Sequence, residues 1–421
     1  MRPTGRRGFA LVITLMLVAL LVLCVLGLGT LVRVDGQIAS AAGYQVAARQ
    51  NARLGLALAL GALQEAAGDD ARITGMAGVA GIQPGAASST RYWCGVWRRD
   101  GSFVTWLASG AADSGDAGPD PIELVSSESV GAASSTSANV EKEHVKAGRI
   151  PIMASETLAH PGAATAIGRY AWLVLDEGSK IGAYAPAADL AVANLPPVIS
   201  PGLPSNQLRL RAALASYAGR LPRVLSYEQL SLLPTPPASG QLTPSVLQDC
   251  FHYVALAPRT VGAGGYVAGT ININSASTQL WRCLLDTYNQ APGAIPIPAV
   301  EVAAKGRQLA ENFAATNAGK APGGPFTSID GFRAYLATLF PANGKPTARE
   351  IVETLGPMLT VRSDTFRVRA CGEAVNLADA STVEATAFCE AMVQRTPDPA
   401  PNGLGRRVVI TTFRWLGPDD L

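Results

Sequence analysis

An apolar run from Phe9 to Val32 opens the chain and contains no charged residue; its only polar side chains are Thr14, Thr30 and the thiol of Cys24. A helix rises about 1.5 Å per residue, so this run is long enough to cross a hydrocarbon core of about 30 Å. No proline interrupts the sequence that follows, SAAGYQVAARQNARLGLALALGALQEAAG. Within it Leu56, Leu60 and Leu63 recur at helical spacing, with Leu54 and Leu58 offset, and Gln37, Gln45, Arg49, Gln50, Arg53 and Gln64 fill the remaining positions. The pattern predicts one helix from about Phe9 to Ala67, membrane-embedded over 9–32 and packed on a folded domain over 33–67. Gly68 and Asp69-Asp70 end it.

Beyond the helix the period changes. Arg91 to Leu107 alternates aromatic and β-branched residues around Asp100-Gly101 and predicts a hairpin, with Trp93, Trp97 and Trp106 on a strand face covering the helix. The Ser/Ala/Gly/Asp-rich stretch 108–139 reads as a flexible loop. Gly168 to Leu175 reads as a buried strand followed by a turn at 176–179. After the proline-rich NLPPVISPGLP, helical spacing appears at Leu208–Tyr217, Thr278–Leu285, Val300–Ala315, Ile329–Leu339 and Thr347–Leu355. Strand patterns return at Met358–Val368, with a turn at Arg362-Ser363-Asp364, and at Val383–Met392 and Arg407–Trp415. The predicted class is α+β: a long N-terminal helix on an antiparallel sheet, with the first part of that domain at 68–195, a mainly helical insertion at 196–356 and closing strands at 357–421.

Charge fixes orientation more than partners. Arg2, Arg6 and Arg7 precede the apolar run, which keeps the N-terminus cytoplasmic and exports the remaining chain. Over 421 residues, 34 basic and 32 acidic side chains leave a net charge of +2, so no global field points to nucleic acid. The histidines are His144, His160 and His252; no HExxH, GxSxG or phosphate-binding GxxxxGK[ST] occurs, and the expected class is non-enzymatic. Six cysteines occur, none in a CxxC; Cys24 lies in the apolar helix, and Cys371 with Cys389, in or beside neighbouring predicted strands, form the candidate disulfide.

The junction Arg6-Arg7-Gly8-Phe9 resembles the leader of prepilins, which a dedicated peptidase cuts after the glycine before methylating the new N-terminus. The resemblance implies 1–8 as leader, Gly8 as its last residue and Phe9 as the mature start. Pilins commonly carry glutamate at the fifth mature position; here it is Ile13, an omission shared with the K-type minor pseudopilin at the tip of type II secretion fibres. Three further patches are similar to that subunit: Gly269 to Ala276 (GTININSA), Gly324 to Ile329 (GPFTSI) and Leu359 to Val368 (LTVRSDTFRV). Residues Asn51 to Thr74 resemble the pilin-like cassette protein A family of Verrucomicrobia, which the first 75 or so residues match best. These likenesses imply a minor pilin- or pseudopilin-like subunit of a type II secretion or type IV pilus-like apparatus. Its expected partners are other pilin subunits, the prepilin peptidase and the inner membrane, with the C-terminal domain periplasmic. The competing expectation is an uncleaved, membrane-anchored periplasmic binding protein or enzyme. No cofactor is expected. K-type pseudopilins bind calcium through loop carboxylates, for which Asp176-Glu177 or Asp113 to Asp120 are the oxygen donors here, ordinary turn acids being the favoured reading.

Overall fold

The computed structural model describes residues 7–80, 90–125, 145–154, 166–182, 254–255, 271–289, 291–311, 325–376 and 379–417. The helix expected at Leu208–Tyr217, the three histidines and Cys250 lie outside them, as do residues 126–139 of the expected loop.

Helix α1 runs unbroken from Arg7–Ala67 over 61 residues, about 90 Å. It lacks proline, and Leu and Ala dominate it, so propensity and pattern agree. A five-stranded antiparallel sheet lies against its second half, built from β6 (Ile150–Met153), β7 (Ala166–Asp176), β12 (Thr365–Val375), β13 (Val383–Pro399) and β14 (Arg406–Leu416). Their order is β14-β13-β12-β7-β6. Parity divides the sheet. Val174, Phe366, Val368, Ala370, Cys389, Ala391 and Val393 pack with Ala48, Ala52, Leu56, Ala59 and Leu63 of α1.

On the opposite face, a second core joins β1 (Arg72–Met76), β2 (Cys94–Arg98), β3 (Phe103–Trp106), β4 (Pro121–Val125) and β5 (Val145–Gly148). The hairpin forms as expected, Gly101 adopting the positive φ its turn requires. Its tryptophans point the other way from the expectation: Trp93, Trp97 and Trp106 belong to this second core, while Cys94, Val96 and Leu107 face the helix side. One step in register exchanges the faces of a strand. The described part of the expected loop, 108–125, also holds more order than its composition implies. Strand β4 pairs with β5, Ala117, Ile122 and Leu124 are buried, and Ser109 Oγ donates to Gly148 O at 2.7 Å. A few well-placed small and apolar residues suffice there.

Between β7 and β12 lie β8 (Ile181–Gly182), β9 (Val254–Ala255), β10 (Ile271–Asn272), α2 (Thr278–Asn289), α3 (Ala299–Glu311), α4 (Ile329–Leu339), α5 (Ala348–Leu355) and β11 (Leu359–Thr360). Ser328 caps α4 by accepting from Gly331 N, and Thr347 with Glu350 forms a capping box on α5. The helices share a third core in which Trp281 stacks on Phe332 at 5.4 Å.

Candidate functional site

Helix α1 changes character along its length. Every residue from Val12 to Gly43 is exposed, including the apolar run, and from Ala48 the helix is buried along one stripe. Exposed apolar side chains over more than twenty residues are stable only against lipid or other helices. The buried stripe is narrower than the leucine pattern implied. Leu56 and Leu63 are buried and Leu60 half-buried, but Leu54 and Leu58 remain 42% exposed, and the surface meeting the sheet is mostly Ala and Gly.

Those small residues set the closest approach. A Cβ on Gly372 would overlap the backbone of Ala52 and Ala48, and one on Gly168 would overlap the Asn51 amide. Asn51 Nδ2 donates to Glu373 O at 2.8 Å, fixing the helix against β12. At the other end Gln64 Nε2 donates to Leu404 O and Arg406 O at 2.9 and 2.8 Å, and its Oε1 accepts from Val408 N at 2.9 Å. Arg395 donates to Gly68 O through Nε and Nη2, at 3.2 and 2.9 Å, placing a cation where the helix carbonyls end. A cleft of about 320 Å³ opens where the helix leaves the sheet, lined by Ser40, Tyr44, Ala47, Ile167 and Val375. Gly8 and Phe9, the expected processing residues, lie in the first turn of α1.

Cys371 and Cys389 are free and buried, which corrects the expected disulfide. Cys371 pairs with Phe388 and Cys389 with Ala370, so the cysteines are one step apart in register and project to opposite faces. Burial pushes the Cys389 thiol up to about 12 and the Cys371 thiol well above its ordinary range.

Of the acids considered for calcium, Asp176, Glu177, Asp116 and Asp120 are engaged by protein donors. Asp176 Oδ1 accepts from Gly178 N and Ser179 N, and Oδ2 from Asn272 Nδ2 at 3.0 Å. Burial raises the Asp176 carboxyl despite those bonds. Burial acts the same way on Glu177, but Arg367 and Lys180 outweigh it and hold that carboxyl low. Asp116 caps Gly118 N, and Asp120 pairs with Arg149 at 2.6 Å. These oxygens serve protein donors. Among the described residues no group of three or more His, Cys, Asp or Glu could hold a metal.

Glu177 begins a buried charge ladder that the sequence reading missed. Arg367 donates to Glu177 at 3.0 Å and to Glu390 at 2.8 Å; Arg369 donates to Glu390 at 2.8 Å and Arg414 at 3.0 Å. The alternation Arg367, Arg369 on one strand opposite Glu390 was the available signal. Such pairing satisfies charges that burial would otherwise heavily penalise.

The three short patches converge on one residue. Asn274 Oδ1 accepts from Phe326 N, and Nδ2 donates to Phe326 O, Val361 O and Thr74 O. Asn272 Nδ2 reaches Thr74, Asp176 and Ser363. The asparagines thus tie the helical segment to β1 and to the turn after β7. They do not cap α2; Ser277 Oγ does, accepting from Leu280 N.

Among solved structures the chain is similar to the GspK–GspI–GspJ complex of the type 2 secretion system from enterotoxigenic Escherichia coli. The two are 13% identical, with a TM-score of 0.33 over 63% of this chain and 83% of that one. No protein-family model matches the chain, and no curated protein matches it.

Proposed function

We propose that this chain is a minor pilin- or pseudopilin-like structural subunit of a type II secretion or type IV pilus-like apparatus. It is cut after Gly8, methylated on Phe9, anchored in the inner membrane by 9–32 and carries its sheet and helices on the periplasmic side. The observation that supports this reading is the single continuous helix, exposed throughout Val12 to Gly43 and fixed on a sheet beyond Ala48. A simple anchor needs no rigid continuation into the domain. A fibre subunit does, because the exposed half must leave the bilayer and find other helices while the head keeps its orientation. Ile13 in place of an acid supports a position at the fibre tip, since no carboxylate asks for a neighbour's N-terminal amine.

N-terminal sequencing of the membrane-extracted protein, made together with its prepilin peptidase, tests the cut. A methylated Phe9 is expected, and Gly8→Ala should block processing while leaving insertion intact. An intact leader beside an active peptidase refutes the pilin reading and favours an uncleaved anchor. Immunogold labelling along the whole length of a fibre refutes the tip position alone.

A further inference from the structure

The two edges of the main sheet are built differently. Strand β6 is short and carries Pro151, a residue that blunts pairing, while β14 spans 11 residues without proline. Among the described residues no strand pairs with the outer side of β14. Gln64 occupies the first part of that side through Arg406 O and Val408 N. The part from Ile410 onward carries Ile410 and Phe413 at 46% and 41% exposure. Both lie on the α1 face, opposite Val393 and Ala391. On the same face Arg49 and Arg53 of α1 reach over the Trp415 ring, 5.5 and 5.4 Å from its centroid, and among the described residues neither forms an ion pair. Arg407 is exposed near the start of the strand, and Arg414 lies near its end.

We infer that the outer edge of β14 is a strand-addition site for an extended, acid-bearing segment of another protein. Open backbone groups supply the pairing, Ile410 and Phe413 an apolar floor, and Arg49, Arg53 and Arg407 the charge preference. A second copy of this chain is the wrong partner. Two β14 strands paired antiparallel about their middle bring the Arg407 end of each beside the Trp415 end of the other, where Arg49 and Arg53 lie, and like charges so placed are destabilising. The inference stands whether or not the chain enters a fibre.

The test uses the full chain in detergent and two labelled peptides of alternating Thr and Val, one ending in Glu at both ends and one in Lys. Fluorescence anisotropy should show the Glu peptide binding on the order of tenfold more tightly at low salt, with the preference shrinking as salt rises. The double variant Arg49→Glu, Arg53→Glu should weaken the Glu peptide and strengthen the Lys peptide, a gain that misfolding does not produce. Ile410→Pro should abolish binding of either, because by alternation from Val408 the Ile410 N–H faces outward. Equal binding of the two peptides, no binding of the Glu peptide, or self-association of the chain that Ile410→Pro abolishes would each overturn the proposal.

Discussion

Asn274 holds Phe326 from both sides, its Oδ1 accepting from the Phe326 amide at 2.7 Å and its Nδ2 donating to the Phe326 carbonyl at 3.1 Å. The same amide reaches Thr74 and Val361, so a single side chain joins three segments distant in sequence. Asn274→Ala leaves the half-buried Phe326 amide and the Phe326 and Val361 carbonyls without this partner, and an unsatisfied buried group costs about 1–3 kcal/mol. Urea titration should register a loss of at least about 2 kcal/mol, and Asn274→Asp should be no rescue, because an ionised carboxylate cannot donate. An unchanged midpoint would mean that these segments are held elsewhere.

Gly372 makes a second prediction about the helix mount. Its missing side chain is what lets Ala48 and Ala52 approach β12, so Gly372→Val must push α1 away from the sheet. Overpacking of this kind costs about 1–3 kcal/mol or more. Gly61, with open space around it in the same helix, is the comparison: Gly61→Ala should stabilise by up to about 1 kcal/mol through helix propensity. Thermal melts of the two variants should therefore move in opposite directions.

Acid should weaken the sheet through Glu390. Burial raises this carboxyl, but Arg367, Arg369 and Arg414 outweigh burial and hold it well below the usual carboxylate range. A folded-state value below the unfolded one contributes stability that is present above the unfolded value, near 4.5, and is lost as pH falls below it. Glu390→Gln should cost about 3–5 kcal/mol at neutral pH, since it leaves buried guanidinium groups without their counter-charge. It should also flatten the decline in stability between pH 5 and lower values. Denaturation curves with the same pH slope as the parent would remove Glu390 from the account.

Cys371 and Cys389 should both remain thiols under native oxidising conditions. Maleimide should label neither in the folded protein and both after denaturation, with mass spectrometry finding no crosslinked peptide. A recovered Cys371–Cys389 disulfide would contradict the strand register.

Much of the architecture was legible because it rests on periodicity and punctuation. The α1 boundaries, the Asp100-Gly101 hairpin, the Ile329–Leu339 helix and the late strands each follow from local pattern. What escaped was relational. Facing of Trp93 and Trp97 depends on a register no single strand states, and the order around Ser109 and Leu124 depends on partners distant in sequence. The Arg367–Glu390 ladder exists only once β12 and β13 are paired. The three short patches were visible as motifs, but their common contact at Asn274 is a property of the assembled chain.

Strands β7 and β12 are immediate neighbours, Asp176 pairing with Phe366. The chain therefore departs from the sheet and returns to it within one strand spacing, after everything from β8 to β11 has been threaded between. That is the geometry of an insertion: the sheet closes across the point where the segment leaves and returns, and the Asn272 and Asn274 contacts fasten the segment to β1 beside it. A change of length within the segment therefore leaves the pairing of β7 with β12 in place.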